Sequence, residues 1–473
     1  MTEPTLDENF KVRMFSPTEK AKWGVASFGG ALVNGIYATL LPIFYTDYLG
    51  LVESAYLIYI VSIIYGIWNA INDPIFGILS DRSRSEKGRR LPFMRYTAPF
   101  LALFFILIWF SPTSPPMAIF WWMLITTLLY DTAYTIIFLL YSALLPEVTE
   151  DEQERNGLQM FGSFFSMIGT VLGFVIPEIF RQQADFLPLQ MAMVGVGVVG
   201  MSCILYTTFQ FKERPEFTQL DEPLGFMDSL KYTFKNKAFI ILVTANFMSI
   251  FIQSLILGSV FYLADYIVEV SSLILLIFII LPLLIGIWLT PKLIGKFGVV
   301  KSDQLLLLIG ATGLLILTFI PANLMYISLI LVGFGLVGPL VYTNVLFAQV
   351  ADEDELNTGV RREAVFFGVN ALVTKPAQSL ALVVPVALLA ASNFIPRSET
   401  GGIARPDLQP IEALIAIRLF IGLIPSIALY LEVLILQFYP LKGDYWKNVQ
   451  QQILTLHDEK HKKLKQLSRD KKK

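Results

Sequence analysis

A few polar groups interrupt long apolar stretches of this chain, and their types and spacing suit ion and solute handling. In Trp68-Asn69-Ala70-Ile71-Asn72-Asp73-Pro74, Asn69 and Asp73 are four residues apart. That spacing puts them on one helical face, about 6 Å apart along the axis. A carboxylate with the amide oxygens of Asn69 and Asn72 nearby suits a hard cation or a proton, and Pro74 frees a carbonyl one turn back. Asp131, Tyr134 and Thr135 form a second group, with Asp131 and Thr135 on one face and Phe138 further along the same stripe. Asp131 suits a cation, a proton or a polar part of a solute. Lys375, just before Pro376, lies too deep in an apolar run to snorkel to water. It needs a carboxylate partner, for which Asp73 and Asp131 are the candidates. Asn246 and Gln253 share a face seven residues apart and read as cavity lining, whereas Gly169 and Gly173 read as a close helix crossing.

Each of these groups also has a purely structural reading. A buried lysine–carboxylate pair can simply brace two helices, and a buried aspartate can simply bond to a neighbouring helix. Depth weights the choice, because an ionised group at the bilayer centre costs at least ~2.5–3.5 kcal/mol. Arg418 lies near a span end, and snorkelling or an outer gate pair accounts for it.

The elements that must hold these groups follow from composition. Of 473 residues, 55% are hydrophobic and only 16% charged, against roughly a quarter charged in a water-soluble chain. The apolar residues gather in runs long enough to cross ~30 Å of hydrocarbon as helices. Twelve spans are expected, the first read as 23–46 and the ninth as 304–320. One cysteine, Cys203, excludes a disulfide framework, and both histidines, His457 and His461, sit in the polar tail. A metal site and an intramembrane histidine relay are not expected, nor is a cleavable signal in the mixed-charge first twenty residues. The fold class is all-α and polytopic.

Charge placement orients the spans. Of the 36 lysines and arginines, Arg181, Arg397 and Arg405 fall on one side and Lys375 and Arg418 within spans; all the others fall on the opposite side. The positive-inside rule makes that side cytoplasmic, so both termini are expected there. The chain divides into a cytoplasmic segment 1–22, a six-helix bundle 23–211, a charged linker 212–237, a second bundle 238–438 and a basic tail 439–473. A weak repeat supports the halves: Val148-Thr149-Glu150-Asp151-Glu152 resembles Val350-Ala351-Asp352-Glu353-Asp354, with Phe161-Gly162 and Phe367-Gly368 following. In the tail, Trp446, Val449, Ile453 and Leu456 repeat at three- and four-residue spacing beside many lysines, which suits an anionic leaflet or a solubilising tail.

The inward loops carry a resemblance. Gly77-Ile78-Leu79-Ser80-Asp81-Arg82 with Gly88-Arg89-Arg90, preceded by Asn72-Asp73-Pro74, resembles the loop signature of the major facilitator superfamily. It is similar to the glycoside–pentoside–hexuronide:cation symporter branch in particular. Tyr141-Ser142-Ala143-Leu144-Leu145-Pro146-Glu147 with Glu154-Arg155 matches a second loop of that branch. Asp354-Glu355-Leu356-Asn357-Thr358-Gly359-Val360-Arg361-Arg362 leading to Lys375 matches a third, and Leu441-Lys442-Gly443-Asp444 the tail. The resemblance implies two six-helix bundles, alternating access, and sugar-type solutes moved with H⁺ or Na⁺. Against the melibiose-transporting members, Lys375, Thr135 and one span-two aspartate are kept. Asn69, Phe138, Ala31 and Ser163 stand where those members carry charged groups. Asp131 stands where the lysophospholipid symporters of the same branch carry an acidic residue.

The reading is a cation-coupled symporter for a sugar, glycoside or related small solute, with an amphiphile symporter as the alternative and a non-transporting receptor or scaffold as the remote one. No enzymatic constellation is present and no cofactor is expected beyond the coupling ion. Asp73, Asn69, Asn72 and Thr135 are expected to take the ion. Asp131, Tyr134, Phe138, Lys375, Asn246 and Gln253 are expected to face the solute. Asp81, Arg82, Arg89, Arg90, Arg155, Asp352, Arg361 and Arg362 are expected to pair as an inward gate. The partners are then the solute, a monovalent cation and the bilayer, the chain being a monomer in the cell membrane.

Overall fold

The computed structural model describes residues 15–82, 90–148, 152–180, 186–211, 233–358, 363–453 and 455. No strand occurs among them. Twelve helices are long and apolar enough to cross a membrane: Pro17–Tyr48, Leu51–Asn72, Leu91–Trp109, Pro116–Ser142, Gly157–Phe180, Leu187–Gln210, Lys237–Val268, Ser272–Phe297, Val299–Phe319, Ala322–Asn357, Leu372–Ala391 and Ile411–Gln437. They are called spans one to twelve below.

The first span starts where its sequence says it should. Ser16 accepts a hydrogen bond from the backbone of Glu19, Glu19 returns one to the Ser16 N–H, and Pro17 takes the first helical position. Asn236 caps span seven by accepting from the N–H of Phe239 at 2.9 Å. Four spans contain a π-helical turn, at Phe44–Tyr48, Leu263–Val268, Gly338–Tyr342 and Leu419–Leu423. Such turns add a residue to the helix and re-aim the side chains beyond it.

Contacts divide the chain into two units: Met1–Phe44, Ile67–Glu222 and Gly401–Ile403 in the first, Tyr45–Gly66, Pro223–Thr400 and Ala404–Lys473 in the second. In the first unit, span one packs against span five so closely that a Cβ at Gly169 would lie 2.5 Å from the carbonyl oxygen of Phe28. Close backbone approach of this kind replaces the hydrophobic drive that lipid removes. Glu154, at the foot of span five, binds the Lys20 ammonium at 3.1 Å and accepts from the N–H of Phe15 at 2.9 Å, which fixes the entry to span one. In the second unit, Phe239, Leu255, Leu307, Leu346, Ala377 and Leu429 belong to one buried cluster. A helix over 443–453 follows span twelve, with Val449 and Ile453 buried and Trp446 packed on that cluster. Its apolar side is therefore occupied by protein. Leu456 and the lysines beyond it lie outside the described residues.

Candidate functional site

Span two is turned inside out relative to a soluble helix. Ile63, Ile67 and Ile71 are 60%, 58% and 45% exposed, while Ser62, Asn69 and Asn72 are buried. Lipid accepts the isoleucines, so the polar stripe must find partners within the protein. It finds them on span four. The Asn72 side-chain amide donates to the Asp131 carboxylate, and also to the Thr135 hydroxyl at 3.2 Å. Asn72, Asp131 and Thr135 are 0%, 7% and 8% exposed, and Asn69 is buried one turn away. One turn further out, the Trp68 indole N–H donates to the Thr132 hydroxyl at 2.9 Å. The first unit thus holds a desolvated carboxylate, amide and hydroxyl on two helices. The Asn72 amide meets the other two through its N–H₂, so the buried Asp131 carboxylate is the group that suits a proton or a hard cation.

An aromatic column borders the cluster. Tyr130 stacks on Tyr37 of span one at 4.4 Å, and Tyr134 meets Phe138 at 4.5 Å. The Phe138 ring lies over Gly30, where a Cβ would come within 1.9 Å of it. Ring and glycine are therefore one fitted contact.

Of the remaining expected site residues, Asn246 donates to Asn370 Oδ1 at 2.8 Å, joining spans seven and eleven. One turn along span eleven, Thr374 is buried and Lys375 half-buried. Gln253 and Asp352 are half-buried and Arg90 is buried. The side chains of Asp73, Asp81, Arg82 and Arg155 lie outside the described set, as do Arg89, Arg361 and Arg362 altogether. The structure thus gathers Asn72 and Thr135 with Asp131, which the sequence reading had assigned to the solute instead. It sets Asn246, Lys375 and Gln253 in the second unit. Arg418 donates to the carbonyl of Ile320 at 2.7 Å, a helix-end contact.

The sequence reading missed a buried ion cluster in the second unit. Asp47 and Asp265 sit in the π-helical turns that end spans one and seven, and Arg397 lies in the loop before span twelve. Arg397 binds Asp47 through Nε at 3.1 Å and Asp265 through Nη2, with side-chain exposures of 2%, 0% and 4%. The Arg397 backbone N–H also donates to Asp47 at 2.6 Å, Tyr266 donates its hydroxyl to Asp47 at 2.8 Å, and Nη1 donates to the Tyr48 hydroxyl at 2.9 Å. Burial disfavours the Arg397 cation, but Tyr48, Asp265 and Asp47 outweigh it and hold the guanidinium above its ordinary pKa. The available signal was Arg397 itself, one of few basic residues on the sparsely charged side.

The sequence matches the family described as MFS/sugar transport protein over residues 23–443. This chain belongs to that family. As an MFS/sugar transport protein it is a multi-pass membrane protein with the major facilitator fold. The symporter sll1374 of Synechocystis sp., described as uncharacterized, is 27% identical over 94% of this chain and 98% of its own length. The sodium-dependent lysophosphatidylcholine symporter 1 of Gallus gallus is 23% identical over 83% of this chain and 81% of its own. Two solved structures share the fold. One is a bacterial homolog of the human lysosomal transporter Spinster, with TM-score 0.62 and 12% identity over 93% of this chain and 97% of the other. The second is the nucleoside transporter NupG, with TM-score 0.58 and 15% identity over 89% and 100%.

Proposed function

We propose that this chain is a cation-coupled symporter that carries a sugar, glycoside or related small organic solute by alternating access. The observation that carries the reading is the buried Asn72–Asp131–Thr135 cluster. A carboxylate held this far from water is stabilised by binding a proton or a small cation, and each such charge moved across the membrane draws on ~2.3 kcal/mol per 100 mV. In this reading Asp131 takes the ion, Asn72 orients Asp131 by bonding it and Thr135 together, and Asn69 and Asp73 contribute to ion binding. Lys375 supplies a positive charge whose partner changes during the cycle, and Asn246 and Gln253 contact the solute. The inward gate pairs Asp81, Arg82, Arg89, Arg90, Arg155, Asp352, Arg361 and Arg362. The protein works as a monomer in the cell membrane with both termini in the cytoplasm, and it uses no cofactor other than the coupling H⁺ or Na⁺.

A second reading shares the site, namely an amphiphile symporter. The similarity to a lysophosphatidylcholine symporter and the aromatic column of Tyr37, Tyr130, Tyr134 and Phe138 favour it. One experiment separates the two. Vesicles containing the protein are offered methyl glycosides or lysophosphatidylcholine, and solute-evoked uptake of H⁺ or ²²Na⁺ is recorded. Ion uptake evoked by glycosides supports the first reading and by lysophosphatidylcholine the second. Solute entry with no ion movement would overturn coupling in both.

A further inference from the structure

The second unit holds two more carboxylates that neither the gate nor the proposed ion site uses. Asp303 lies one turn into span nine and Glu432 near the end of span twelve; they are 3% and 4% exposed. Both helix ends belong to the side that the lysine and arginine distribution marks as cytoplasmic. The helices carrying them are pinned together here, with the Gln304 amide donating to the carbonyl of Val433 at 3.0 Å. On Glu432, Oε1 accepts from the Ser249 hydroxyl of span seven at 2.5 Å, while Oε2 has no partner. On Asp303, Oδ1 has no partner either. That oxygen is pressed against Gly338, where a Cβ would lie 2.5 Å away, so the π-helical turn of span ten leaves room for the carboxylate itself. Neither residue forms an ion pair among the described residues. Tyr342 of span ten is also fully buried.

Two ionised carboxylates on adjoining helices without a cation, out of water and each with an orphaned oxygen, are not a stable arrangement. Either a metal cation or a proton must be present. A metal cation needs roughly six oxygen ligands. Among the described residues no third carboxylate, histidine or cysteine joins the pair to hold a metal ion. We infer that Asp303 and Glu432 form a proton-binding site in the second unit, separate from the oxygen cluster of the first, that holds one proton at neutral pH. The site is independent of which ion drives transport. Its proton supplies the donor that the orphaned oxygens lack, and its loss puts like charges between spans nine, ten and twelve.

Infrared spectroscopy of the purified full-length protein reads this directly. The difference spectrum between wild type and the Asp303→Asn/Glu432→Gln double variant, recorded at neutral pH, is expected to contain the C=O stretch of a protonated carboxylic acid, shifted in D₂O. Carboxylate bands alone in that difference would overturn the proposal, because both groups would then be ionised. Conversion of the acid band to a carboxylate band on adding NaCl at constant pH would also overturn it, in favour of a metal cation. Should the double variant fail to fold, the single variant Glu432→Gln decides. An acid band that is lost or shifted in Glu432→Gln supports the site, and one unchanged by Glu432→Gln contradicts it.

Discussion

Replacing Arg397 by glutamine removes the cation from between Asp47 and Asp265 while keeping much of the side chain's bulk. Both carboxylates stay almost wholly buried, and breaking a buried pair by deleting one partner costs about 3–5 kcal/mol. The cost has a ceiling set by protonation. An aspartate with an ordinary pKa near 3.9 can take up a proton at pH ~7 for about 4 kcal/mol, and at pH ~5 for only about 1.5 kcal/mol. The sign follows. Without the guanidinium two buried negative charges face each other, and uptake of a proton relieves them, so the penalty is greatest at neutral pH and shrinks as pH falls. Arg397→Gln is therefore expected to lose about 3–4 kcal/mol near pH 7 and to regain more than half of it near pH 5. Adding Asp47→Asn and Asp265→Asn should restore much of the loss at neutral pH, since no uncompensated charge remains. Thermal unfolding in detergent, followed at both pH values, measures each step. Equal melting temperatures for Arg397→Gln and wild type across that range, or a triple variant less stable than the single, would refute the charge argument.

Three further perturbations test other contacts. Asn72→Ala removes hydrogen bonds to Asp131 and Thr135. A bond donated to a carboxylate favours its ion-free form and is worth ~1.5–3 kcal/mol, so the ion dependence of solute uptake should shift roughly ten- to hundredfold toward lower ion concentration. Gly30→Ala overpacks the Phe138 ring and should cost about 1–3 kcal/mol; thermal stability should recover when Phe138→Ala is added. Glu154→Ala leaves the N–H of Phe15 and the Lys20 ammonium without their acceptor, which should lower stability by about 1–3 kcal/mol and speed proteolysis ahead of span one.

The twelve spans were legible because lipid imposes length and apolarity on each helix separately, and those are local properties. The site was legible in pieces. The i, i+4 rule joins Asn69 to Asp73 within one helix, but the bond from Asn72 to Asp131 depends on how spans two and four rotate against each other, and no spacing rule reports that. Asp47 was lost for a different reason. The apolar run ends at 46, which assigns Asp47 to water, yet a π-helical turn carries it inward to Arg397, some 350 residues away in sequence. Asp303 was excluded in the same way, one residue before the ninth apolar run. Glu432 sits within a run whose neighbours are so apolar that a single acid barely alters the average. For Asp47 and Asp303 a polar residue at the margin of an apolar window was read as solvated, and tertiary packing buried it.

The most direct test of ion coupling is uptake into proteoliposomes driven by an imposed inward H⁺ or Na⁺ gradient, with wild type and Asp131→Asn compared on the same radiolabelled methyl glycosides. The expected result is transient accumulation above equilibrium in wild type under one of the two gradients. In Asp131→Asn, accumulation is lost while downhill entry survives. Full gradient-driven accumulation by Asp131→Asn would contradict the assignment of the coupling ion to the Asn72–Asp131–Thr135 cluster.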